Sequence, residues 1–185
     1  MKKIVFLALI TLIVVSCKDK TSINADEAGK EVTKYLQSNP EYKTGKVSLG
    51  ELKFNSEKEY KELEAYQKLE QEGYINLTRV NAKKKFLSKD SSFVYMVKLT
   101  DKASAFVLKQ QKDNATVKAV NYELSDEKPV DFSVVNSSNA KITVTLKKVN
   151  TPFFFFEKNP DDSADFINKT YRLKYKKETG WSVTR

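Results

Sequence analysis

The chain has 185 residues, 33 Lys and Arg against 24 Asp and Glu, no histidine and one cysteine. These counts exclude a histidine-based catalytic triad, an imidazole metal site, a cysteine-rich zinc site and an intrachain disulfide. With 40% hydrophobic and 31% charged residues, the composition is that of a globular protein rather than a disordered one.

The chain opens on a basic pair, Lys2 and Lys3, followed by an apolar run from Ile4 to Val15 broken by Thr11. Twelve helical residues reach only about 18 Å, short of the ~30 Å hydrocarbon core, so the run reads as a secretory signal rather than a membrane span. Its end, Val14-Val15-Ser16-Cys17, resembles the lipobox of bacterial lipoproteins. That resemblance implies diacylglyceryl transfer to Cys17, cleavage before it, and acylation of the new amino group. Several acyl chains on one residue hold a protein firmly on a membrane, where one chain does not. Residues 1–16 are therefore expected to be a signal peptide and 17–23 a polar tether. The expected location is the cell envelope, on the outer membrane, with either its periplasmic or its surface face open.

Lys18-Asp19-Lys20 partly resembles the surface-export signal of Bacteroidota-type lipoproteins, and Asp162-Ser163-Ala164 resembles the O-glycosylation triplet of that group. The excess of Lys over Arg reads as codon bias towards A and T. Charge is uneven along the chain. Residues 18–72 hold ten basic and twelve acidic side chains, 73–128 eleven and six, and 129–185 ten and six.

Periodicity predicts a helix over 24–38, with Ala28, Val32, Tyr35 and Leu36 on one side, Asn24 or Asp26 as cap, and Asn39-Pro40 as stop. Residues 46–54 have strand character. Ser56-x-x-Glu59 is a capping box for a second helix running to Glu72, with Gly73 as its stop. Tyr74–Val80 and Phe93–Leu99 read as strands flanking a basic loop, Asn81–Asp90, and Thr100 caps a short helix. The remainder is strand-rich: 117–124, a hairpin of 132–135 and 140–149 around Asn136–Asn139, the run Phe153–Phe156, and a last hairpin ending at Trp181–Val183.

The order helix, strand, helix, strand, loop, strand resembles a winged-helix module. Leu69-Glu70-Gln71-Glu72-Gly73-Tyr74-Ile75 is similar to the end of a recognition helix entering its wing, and Leu99-Thr100-Asp101-Lys102 to the step out of it. The helix in the recognition position is acidic, so nucleic acid is not expected as a partner. Lys169–Val183 is similar to the closing hairpin of small cystatin-like or NTF2-like domains. The expected fold is α+β. A helix-plus-hairpin module over 24–112 precedes an antiparallel, β-rich module over 113–185.

Two features are candidates for function. Lys83, Lys84, Lys85 and Lys89 form a basic tip that either contacts an anionic surface or is simply solvated. Phe153, Phe154, Phe155 and Phe156, read as a strand, load both faces of a sheet. Either all four are core, or one alternating pair faces a protein partner or an amphiphile. Asp161, Asp162 and Asp165 cluster in a polar loop, without the spacing of a calcium loop. No cofactor or metal is expected. The leading expectation is a non-enzymatic binding protein tethered at the envelope. The alternative is a hydrolase acting on envelope glycans through two carboxylates facing each other across a cleft.

Overall fold

A computed structural model describes residues 21–84, 91–125, 128–158 and 164–184. The fold is α+β, with two helices and antiparallel sheets, one of them a curled half-barrel. The signal sequence, Cys17, Lys85, Lys89, Asp161 and Asp162 lie outside the described residues.

Helix α1 spans Ala25–Ser38 and helix α2 Glu57–Gln71. Both start where their caps dictate. The Asn24 side chain accepts the Glu27 N–H at 2.9 Å while the Glu27 carboxylate accepts the Asn24 N–H at 3.2 Å. At α2 the Ser56 hydroxyl accepts the Glu59 N–H at 3.4 Å, and the Glu59 carboxylate accepts the Asn55 N–H at 2.7 Å. These hydrogen bonds, the Asn55 N–H first, hold the Glu59 carboxyl below its usual range.

The strand expected over 46–54 is two strands. β1 (Glu41–Ser48) and β2 (Gly50–Phe54) join different sheets, and Gly50, at a φ of +85°, turns the chain between them. β3 (Ile75–Lys84) and β4 (Ser91–Leu99) complete a small sheet in the order β2-β4-β3. β3 thus continues through Lys83 and Lys84, which pair with Ser92 and Ser91, where the sequence reads as loop. A 3₁₀ turn over Asp101–Ala105 replaces the expected short helix.

The large sheet contains β1, β5 (Val107–Gln110), β6 (Asn114–Leu124), β7 (Asp131–Asn136), β8 (Asn139–Asn150), β9 (Phe166–Lys176) and β10 (Gly180–Thr184). Its path is β1-β6-β8-β9-β10; β5 adds to β6 and β7 to β8. The β1–β6 ladder joins strands from either side of residue 112, so the sheet has no break there.

In the β1–β6 ladder Lys43 pairs with Val120 and Thr44 with Lys118, which leaves Ala119 as an extra residue in β6. The bulge shifts the inward set by one. Ala115 and Val117 before it, and Val120 and Tyr122 after it, are all buried. The first pair joins a core with Leu63, Tyr66 and Leu69 of α2, Phe54, Ile75 and Val97. The second pair joins a core with Ala28 and Val32 of α1, Ile142, Leu146 and Leu173.

Gly45 of β1 is buried where the chain at Phe156 crosses it. A Cβ there would lie 2.4 Å from the Phe156 carbonyl oxygen. Gly29, inside α1, has open space at its Cβ position. Gly45→Ala is therefore expected to cost about 1–3 kcal/mol and lower Tm by several degrees. Gly29→Ala is expected to raise stability by about 0.5–1 kcal/mol through helix propensity. Thermal melts of the two variants check the pair, and equal shifts would remove the close approach as a constraint.

Candidate functional site

Thr151 and Pro152 build the site. The Thr151 N–H donates to the Ala119 carbonyl at 3.1 Å, and its hydroxyl reaches the Lys118 and Ala119 carbonyls at 2.7 and 2.9 Å. The same hydroxyl accepts the Phe153 N–H at 3.2 Å. The bulged residue of β6 is thereby tied to the start of a turn. Pro152 takes the second position of that turn, closed by the Phe154 N–H on the Thr151 carbonyl at 3.1 Å.

The phenylalanine run is not a strand. It continues as a 3₁₀ turn, with the Phe156 N–H on the Phe153 carbonyl and the Glu157 N–H on the Phe154 carbonyl, both 3.0 Å. Strand alternation would set Phe153 and Phe155 against Phe154 and Phe156. In a 3₁₀ turn residues three apart share a side, so Phe153 and Phe156 form the buried pair. Phe153 is fully buried against Tyr74 and Phe106, and Phe156 packs on Tyr66 at 5.1 Å between ring centroids. Phe154 and Phe155 project outward, 36% and 55% exposed.

The charges beside this aromatic knuckle are compensated from within. The Glu157 carboxylate is buried, 3.1 Å from the Lys43 ammonium and 3.9 Å from that of Lys148. These are ion pairs without hydrogen-bond alignment. The Lys148 ammonium also lies 5.1 Å from the centroid of the Phe154 ring. One strand pair further on, Lys169 bridges to Glu41 at 2.6 Å, and the Tyr171 hydroxyl lies 3.4 Å from the same oxygen. Burial and the neighbouring Glu41 charge push the Tyr171 phenol up from its ordinary value.

Away from the knuckle, a concavity of about 520 Å³ lies between the start of α1 and the β9–β10 turn. Ile23, Glu27, Glu31, Lys34, Tyr175 and Trp181 contribute to its lining. Glu27 completes the α1 capping box and Glu31 pairs with Lys34 at 2.6 Å. Residues four apart on a helix share a face, so these carboxylates stand on one wall rather than facing each other. Sequence reasoning did not find this cleft, because the hairpin that closes it is remote from α1 in the chain.

Lys83 and Lys84 belong to β3 by their backbones. Asp165, just before β9, accepts the Lys148 N–H on its backbone carbonyl at 2.7 Å. Among the described residues there is no group of three or more His, Cys, Asp or Glu side chains placed to hold a metal ion, and no helix long and apolar enough to cross a membrane. Comparison with protein-family models, curated proteins and solved structures finds no match to this chain.

Alanine substitutions along the run are expected to follow the order severe, mild, mild, severe. Phe153→Ala and Phe156→Ala should each cost about 3–5 kcal/mol, and Phe154→Ala and Phe155→Ala within about 1 kcal/mol. Melting temperatures that alternate along the four positions would restore the strand.

Proposed function

We propose that this chain is a lipid-anchored cell-envelope protein with a non-enzymatic binding role, and that Phe154 and Phe155 are its contact. The observation that carries this reading is the turn itself. Two aromatic rings are held in solvent by two others locked in the core, with Thr151 fixing the entry. Exposed large aromatics on a rigid support lose little conformational entropy on binding, which is why such rings dominate many protein interfaces. With the Lys148 ammonium beside Phe154 already set against Glu157, the exposed rings suit an apolar partner segment or the apolar part of an amphiphile. Phe153 and Phe156 act as the anchors of the contact rather than as part of it.

The carboxylates beside the knuckle and in the cleft at α1 favour this reading over glycan hydrolysis. Glu41 and Glu157 are engaged by lysines. Glu27 and Glu31 share one wall of the cleft at α1, whereas hydrolysis of a glycosidic bond needs two carboxyl groups flanking it. The anchor rests on the sequence around Cys17.

Cys17→Ser is expected to abolish lipid labelling and release the protein from the membrane fraction. Persistence with membranes after a high-salt wash would place the anchor elsewhere. For the contact, a photo-crosslinking residue at position 155 should give a discrete adduct in intact cells, and one at Lys58 of α2 should not. Phe154→Ser should weaken the adduct at 155 while leaving Tm within a few degrees. No adduct at position 155, or the same adduct at both positions, would sink the proposal.

A further inference from the structure

The outward face of the large sheet carries charges of a different kind. α1 covers the side of β8 and β9 formed by Ile142, Tyr171 and Leu173. Side chains alternate along a strand, so Lys141, Arg172 and Lys174 point to the opposite face. All three are exposed. Lys141 and Arg172 are direct cross-strand partners, and Lys174 is two residues further along β9, opposite Asn139.

Like charges directly opposite each other destabilise a sheet. Among the described residues, no ion pair or hydrogen bond engages any of these three side-chain cations. Lys43, Lys148 and Lys169, by contrast, each lie against a carboxylate. The cations around the knuckle are thus paired directly, whereas the nearest acid on this face of the β7–β8 ladder, Asp131, is opposite Thr143 rather than Lys141. Solvent screens the repulsion between Lys141, Arg172 and Lys174, and what the sheet adds is a fixed spacing of exposed cations on one face.

We infer that Lys141, Arg172 and Lys174 form a binding strip for an acidic polysaccharide, one bearing sulfate or uronate groups. Two residues along a strand span about 6.6 Å and neighbouring strands lie about 4.8 Å apart, so the cations form a flat array wider than a single small anion. The Arg172 guanidinium offers a planar fork that matches a sulfate or carboxylate. Hydroxyls occupy the flanking positions. Ser133 is opposite Lys141, Thr184 opposite Arg172, and Ser182 opposite Lys174. These suit the hydroxyl groups of a sugar chain. β7 exposes Val134 and Val135 beside the strip, but the positions directly opposite the three cations on β7 and β10 carry hydroxyls, which favours a glycan over a membrane. The strip shares no residue with the phenylalanine knuckle and stands independently of it.

The test titrates the full chain, in a nonionic detergent, with fluorescent dextran sulfate across a salt series. Binding is expected, with neutral dextran giving none. Each cation in contact with a polyanion contributes roughly 0.7–0.9 to the slope of log affinity against log salt. K141Q/R172Q/K174Q should therefore lower that slope by about 2 to 3. K58Q/K61Q/K68Q, which removes the same charge from exposed positions of α2, should leave it nearly unchanged. Should the triple variant melt early, K141T serves in its place, with an expected loss of about 1 in slope. Equal losses from the two triple variants would reduce the effect to net charge and overturn the proposal. Binding to phosphatidylglycerol mixed micelles without binding to dextran sulfate would overturn it in favour of a lipid surface.

Discussion

One extra residue in β6 is the constraint on which the rest of the structure depends. In a regular strand Ala115 and Val117 would face one way and Val120 and Tyr122 the other. The bulge at Ala119 turns both sets inward, so one strand contributes to two cores under different helices. It also bends the sheet, and bending brings the chain at Phe156 onto Gly45. The carbonyl displaced by the bulge is then available to Thr151, whose N–H and hydroxyl both take it. The phenylalanine turn is thus a consequence of how the sheet curls.

The forces holding that turn are unequal. A buried aromatic removes about 150–250 Å² from water, which at about 25 cal/mol per Å² is several kcal/mol for each of Phe153 and Phe156, as an upper bound. The ion pairs of Glu157 contribute differently. Desolvating a carboxylate and two ammonium groups offsets most of their attraction, so these pairs orient the segment after the turn more than they stabilise it. Rigid projection of Phe154 and Phe155 therefore derives from apolar packing and the Thr151 hydrogen bonds.

Local signals were legible in the sequence wherever local physics decides the outcome. Asn24 and Ser56 cap their helices, and Gly73 adopts a φ of +77° just past α2. The alternation of Tyr171, Leu173 and Tyr175 with Arg172, Lys174 and Lys176 is that of β9. What failed was set by contacts remote in sequence. Nothing in Asn114–Leu124 announces a bulge, because Ala119 and Val120 are both small or β-branched apolar residues that fit either parity. Four successive phenylalanines satisfy a two-residue and a three-residue period equally well, so periodicity has no power there. The deciding signal was polar and lay just before them. Thr151-Pro152 is a turn opening, with a hydroxyl to hold the next N–H and a fixed φ at the second position.

The same alternation decides how the protein meets its surroundings. On β1, Glu41 and Lys43 point inward with Gly45 and Val47, and a charge turned inward must find a partner. Glu41 finds Lys169 and Lys43 finds Glu157, so the inner charges are largely spent within the molecule. On β9 the charges turn outward, where solvent relieves them and no partner is required for folding. Arg172 and Lys174 could have been acids, or threonines like Thr170, with no loss of packing, since their face touches no core. Packing therefore does not fix their sign. At the knuckle the argument runs the same way with apolar groups. Phe153 and Phe156 are required by the core, whereas the backbone hydrogen bonds of the turn do not call for an aromatic ring at Phe154 or Phe155. Solvent accommodates the cations of β9 but not the rings of Phe154 and Phe155, so of the two surfaces it is the knuckle whose exposure costs free energy that burial would recover.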